Sequence, residues 1–277
     1  TVEGAMTVGA TSNVSYTTTA DGSAVVPLEE NEKVGTSVGV AVVVQVVDSS
    51  NEATVANGTI TAKSLSVTAN SGSAEAPNGS TAKAQAGFSA GEFGLGGAIA
   101  VNVYLAKTTA YVGEAVLTVT DAITIGAADY SNTVTEGIAS CEQTEGAFNE
   151  KNTGVGAGIA LGITGNTVEA KLGEVSFTNE EIGSVSVTAA SEGNTEVTAK
   201  AGAAGGTSVA PVVALDVTDI TVGAQIMAAP DALNSTGDVT VSAGSKRKNK
   251  ATADAAAAGS KVAVGAAIAI GVVNVDT

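Results

Sequence analysis

A five-residue phrase, apolar-x-apolar-x-Ala, recurs five times along this 277-residue chain. The copies are Met6-Thr7-Val8-Gly9-Ala10, Leu65-Ser66-Val67-Thr68-Ala69, Ile123-Thr124-Ile125-Gly126-Ala127, Val185-Ser186-Val187-Thr188-Ala189 and Val239-Thr240-Val241-Ser242-Ala243, starting 59, 58, 62 and 54 residues apart. A phrase at a near-constant long period means one supersecondary unit stacked on copies of itself, so neighbouring repeats set the fold and not one central core. Val40, Ile99, Ile159, Val213 and Ile268, each within a short apolar-Ala-apolar motif, supply a second landmark with spacings of 59, 60, 54 and 55.

The phrase alternates strictly, which places Leu65, Val67 and Ala69 on one face of a strand and Ser64, Ser66 and Thr68 on the other. The runs Val34 to Val47, Phe93 to Leu105, Val155 to Ile163 and Val262 to Val275 are nearly continuous in apolar residues and Gly. They are shorter than the roughly 20 residues of a spanning helix and Gly-Val-rich, so they read as strands covered on both faces, with no membrane span. A shorter strand follows each run, as in Thr109 to Gly113 and Val168 to Gly173. A fourth element alternates Ala with polar residues, as in Ala82 to Ala86, Val197 to Ala201 and Ala251 to Ala255, the last with a helical alternative extending to Ala258. Asp21-Gly22, Asn57-Gly58, Asn78-Gly79 and Gly193-Asn194 mark expected corners and loops. The fold class expected is all-β, a parallel β-solenoid (β-helix). It forms a single array over 1–277, with units 1–33 (partial), 34–92, 93–153, 154–204, 205–260 and 261–277 (partial). Dividing each unit into three coils of about 19 residues predicts roughly fourteen coils and a rod about 65 Å long. One unit alone cannot offset its backbone entropy, at about 1 to 2 kcal/mol per residue, so each needs a neighbour on both sides. Both ends fall inside a repeat, which suggests an excerpt of a longer polypeptide.

Twelve Lys plus Arg stand against 28 Asp plus Glu, a net charge of -16, which argues against nucleic acid and favours solubility. Eight aromatic residues, none of them Trp, leave an interior of Ala, Val and Gly, and the many β-branched residues favour strands. Cys141 is the only cysteine, so no intrachain disulfide forms, and the adjacent Glu142 and Glu145 argue for a small, buried or half-buried side chain and against a reactive thiol.

With no His, most metal sites, Ser-His-Asp and Cys-His arrangements and the commonest general base are absent. Acids are scattered and Arg247 is the only Arg, so the chain reads as no enzyme and implies no cofactor. Neither the nonapeptide of calcium β-rolls nor the EF-hand loop occurs, and Glu29-Glu30-Asn31-Glu32 and Asn179-Glu180-Glu181 read as solvated acidic loops. Lys246-Arg247-Lys248-Asn249-Lys250 is the single basic cluster, placed where a loop is expected after the fifth phrase. Lys246, Arg247, Lys248 and Lys250 are therefore the candidate contacts for an anionic polymer, set against a plain solvated loop. Four N-glycosylation triplets and scattered Thr pairs occur at the frequency this composition produces, and the missing aromatic girdles weigh against an outer-membrane barrel.

The block Gly94 to Val103, followed by Thr108-Thr109-Ala110-Tyr111-Val112-Gly113, resembles the repeat of large bacterial surface proteins of the leukotoxin-type filamentous adhesin family, as do Val155 to Gly173 and Val262 to Asp276. The copy at Pro211 to Gly223 is about four residues shorter than that pattern. The resemblance implies export to the cell surface or extracellular space and a β-helical stalk or fibre, and it carries no functional residues. The expected role is a non-catalytic structural segment whose partners are adjacent repeats of the same longer chain. The alternatives are a self-assembling fibre subunit joined end to end, and an adhesive module that binds glycan or a host surface protein through its loops.

Overall fold

The computed structural model describes residues 1–24, 35–89, 92–142, 151–179, 181–227 and 233–277. Among them every regular element is a strand and every paired ladder is parallel. The chain is a parallel β-solenoid.

Three ladders run the length of the stack. The phrases pair in the first, through β1 (Ala5–Ser12), β4 (Ser64–Ser71) and the opening segments of β7 (Ala122–Glu142), β10 (Ser184–Ile226) and β11 (Val239–Asp276). Met6 lies beside Leu65, Leu65 beside Ile123, Ile123 beside Val185 and Val185 beside Val239. The Ala-alternating segments form the second, through β2 (Ser15–Asp21), β5 (Asn78–Ser89) and the middle of β7, β10 and β11. The third holds β3 (Thr36–Ala62), β6 (Phe93–Val119), β8 (Thr153–Leu172) and the remainder of β10 and β11, with the short β9 (Ser176–Phe177) beside Val116 and Leu117.

Each residue therefore pairs with its counterpart a whole repeat away, and the 19-residue coil is corrected: one repeat is one coil. Five levels at the usual strand spacing give a stack about 24 Å high, not 65 Å. The physical reason lies in side-chain size. The three would-be coils carry Leu-Val-Ala, Ala-x-Ala and Gly-Ala strands, and like piles on like only at the full period. One anchor also moves, because Ile99 pairs with Val42 and Val40 pairs with Gly97. The slip is two residues, so the face is unchanged.

Within a coil the chain runs out along the phrase and Ala strands and returns along the third-ladder strands, so two layers face each other. In one half Leu65, Ile123, Val187, Leu117, Val112 and Leu172 form an aliphatic core. In the other Ala84, Ala86, Ala199, Ala98, Ala100 and Ala160 meet. There the layers approach backbone to backbone: a Cβ added at Gly156 would lie 2.3 Å from the Gly202 carbonyl oxygen, and one at Gly158 2.3 Å from that of Lys200. No side chain fits between layers that close.

Two local expectations hold and two change. Asn57-Gly58 is a corner, with Asn57 at φ 66°, and Glu114 takes the equivalent corner of the next coil at φ 52°. Asn78-Gly79 and Gly193-Asn194 instead lie within strands. The Ala251 to Ala258 segment is strand throughout. Finally, the long apolar runs are not covered on both faces: Val38, Val40, Val42, Val44 and Val46 all point away from the interior, and the run from Val262 to Val275 on the last coil is exposed on both faces.

Candidate functional site: a buried polar seam and the groove above it

Between the two apolar halves a seam of polar side chains runs up the stack. Two residues beyond each phrase the register column reads Ser12, Ser71, Asp129, Ser191 and Ser245. The facing layer contributes Gln45, Asn102, Asn166, Asp216 and Thr218, all of them buried. A buried polar atom without a partner costs free energy, and the seam is cross-linked accordingly. In the lower coils Gln45 Nε2 donates to Ser80 Oγ at 2.7 Å, and Ser80 Oγ donates to Asn102 Oδ1 at 2.7 Å. The Asn102 amide nitrogen then donates to the Ser80 and Val134 carbonyls. Higher up, Asn249 Nδ2 donates to Asp216 Oδ2 at 2.8 Å and to Thr218 Oγ1 at 2.6 Å.

The charged centre of the seam is Asp129. Ser131 Oγ donates to its Oδ2 at 2.9 Å, Asn166 Nδ2 does so at 2.5 Å, and Arg247 Nη2 lies 3.3 Å away. Arg247 Nη2 also donates to Ser131 Oγ at 2.9 Å and Ser191 Oγ at 3.3 Å, and Nη1 donates to the Ser131 carbonyl. The Arg247 and Asp129 side chains are 3 % and 0 % exposed.

Arg247 stands two coils away from Asp129 and reaches it because the coil between has Gly193 in the same column. A Cβ on Gly193 would lie 2.7 Å from Arg247 Nη1 and 1.8 Å from the Ser131 carbonyl oxygen. Burial pushes the Asp129 carboxyl up and the Arg247 guanidinium down, while each partner's charge works in the opposite direction. The Tyr104 phenol, buried near Asp129, is pushed up to about 12 by desolvation first and the carboxylate second. Burial likewise raises the Asp216 carboxyl against the hydrogen bonds from Asn249 and Thr218.

The basic cluster is thus divided by strand alternation. It lies on β11 and not on a loop, which corrects the expected placement. Arg247 turns inward and is consumed by the seam, whereas Lys246, Lys248 and Lys250 point outward. Lys250 pairs with Glu196 on the neighbouring coil at 2.9 Å. Lys246 and Lys248 border a groove of about 380 Å³ whose wall includes Tyr130, Asn132, Glu192 and Asn194. Two ammonium groups beside a phenol ring and carboxamides offer donors and a flat apolar surface to an anionic or sugar-like ligand. Glu192, the register partner of Lys246, offsets part of that charge.

Asp129, Ser131, Asn166 and Gly193 escaped reading as a set because no local motif links them. The signal existed in the Ser-Ser-Asp-Ser-Ser column, where one acid replaces a hydroxyl. Cys141 is half-buried. Among the described residues no group of three or more His, Cys, Asp or Glu side chains converges on a metal position, and no helix is long and apolar enough to cross a membrane. The acidic loop 29–32 and Glu180 lie outside the described residues. Compared with family models, curated proteins and solved structures, the chain matches none.

Proposed function

We propose that this chain is a non-catalytic structural segment, a stalk or fibre element of a large exported bacterial surface protein of the leukotoxin-type filamentous adhesin kind. The observation that supports this reading is the parallel register of β10 with β7 and β8 on one side and with β11 on the other, which shifts by one residue against β11 between Gly205 and Thr207. A stack whose like side chains pile along one axis resists bending and proteolysis, and it lengthens by adding coils. Among the described residues its one buried charged pair, Arg247 with Asp129, is closed to any substrate and is tied into the seam. Antibodies raised against this chain should label intact cells that produce it, and label confined to permeabilised cells overturns the surface role.

The groove beside Lys246 and Lys248 favours a second reading, an adhesive module. A glycan array separates the two. A spacer retains nothing specifically, while saturable binding lost in a Lys246→Glu, Lys248→Glu variant assigns adhesion to the groove. A fibre subunit joined end to end through the outer ladders of β3 and β11 would show filaments by electron microscopy as concentration rises.

A further inference from the structure

Over five adjacent register columns the outer face of the third ladder is apolar. The alternation that buries Ala41, Ala98, Ala160 and Ala214 turns Val42, Ile99, Ile159, Val213 and Ile268 outward in one register column. Those five side chains are between 37 % and 55 % exposed. The two columns on either side, through Val38, Val40, Val44, Val46 and their register partners, hold only Val, Leu, Ile, Ala, Gly and Pro. Among the described residues no charged, hydroxyl or amide side chain enters this field of five columns by five coils. The other layer of the same coils supplies an internal contrast. Its outward column reads Thr7, Ser66, Thr124, Ser186 and Thr240.

We infer that this face is the interface with a second copy of the chain, packed sheet against sheet. Size is the first argument. Five columns of alternate residues by five coils cover about 33 Å by 24 Å, roughly 800 Å². That exceeds the largest apolar patch of ordinary monomers and equals what each partner buries in a standard stable interface. Shape is the second, because two flat faces of β-branched side chains interdigitate about 10 Å apart with strands nearly aligned, the geometry of sheet sandwiches. Parallel sheets are ordinarily covered on both faces, and among the described residues nothing covers the outer face of this layer. Charge is the third. The field is neutral, so the -16 net charge is not forced into contact, while Asp48 and Asp219 at its margin disfavour an anionic lipid surface. A two-fold axis through the patch centre sets Ile159 against Ile159 of the other copy, since a self-complementary interface pairs equivalent residues about its axis. This pairing is lateral and does not depend on the stalk or fibre reading.

Sedimentation velocity on the chain at about 100 µM, a hundredfold above a micromolar dissociation constant, should show a dimer. Ile159→Lys should return it to monomer with unchanged circular dichroism, and Thr188→Lys on the hydroxylic face should leave the dimer intact. Ile159→Cys should form a disulfide-linked dimer under mild oxidation that the parent, with Cys141 alone, does not form. A parent that stays monomeric, a dimer that survives Ile159→Lys, or co-sedimentation of the parent with phosphatidylcholine vesicles in place of dimerisation each overturns the proposal.

Discussion

Where the phrase strands pack, Leu65, Ile123 and Val187 meet Val112, Leu117 and Leu172 across the interior; in the opposite half of the same coils Ala84, Ala86 and Ala199 meet Ala98, Ala100 and Ala160. The aliphatic half holds its layers apart with branched side chains and draws stability from buried area. In the Ala half the layers close until glycine is required between them, so each residue buries less area and space decides what is tolerated. The polar seam sits at the step between the two spacings, where neither Leu nor Ala fills the gap and hydrogen-bonding side chains of intermediate size do.

The strongest way to break the comparison is a charge in the aliphatic half. Val187→Asp buries an unpaired carboxylate in the second-highest of the five coils, so we expect a loss on the order of 5 kcal/mol and loosening of adjacent coils. A thermal melt that matches the parent would refute in-register stacking. Next comes the seam. Arg247→Met strands the Asp129 carboxylate and should cost about 3 to 5 kcal/mol, while adding Asp129→Asn should recover most of it; denaturant titration of both variants checks the pair.

The halves themselves separate under opposite changes of size. Leu117→Ala should cost about 3 kcal/mol by leaving a cavity, whereas Ala100→Leu should cost about 2 kcal/mol by overpacking layers that cannot part. If enlarging Ala100 proves neutral, the close approach inferred at Gly156 and Gly158 is wrong.

The smallest effect is a pH dependence. Because burial raises the Asp216 carboxyl, the folded chain holds that proton more tightly than the unfolded chain does. Its contribution is complete below the ordinary Asp value and fades as pH rises through the raised one. The parent should therefore lose stability relative to Asp216→Asn as pH climbs from about 3 to neutrality, read as the difference between paired melts.

Much of this was legible beforehand because repetition carries its own register. The phrase spacing predicted strands, parallel stacking and a solenoid, and the pairing of Leu65, Ile123 and Val185 follows it residue for residue. Coil length was not legible, since a strand signal says that a segment is extended and not how far the chain travels before lying beneath itself. The basic cluster misled for a related reason. Five consecutive polar residues look like a loop in one dimension, yet on a strand they divide between two faces, and Arg247 goes inside.

The sequence by itself determined that this chain stacks, because a repeated alternation of apolar and polar residues can bury its apolar face only against a copy of itself. Tertiary structure alone decided that two layers face each other across interiors of unequal depth, that Arg247 answers Asp129 two coils away past Gly193, and that an apolar sheet face is left outward. Those outcomes depend on which strands oppose each other and how closely, a distance that sequence period does not encode.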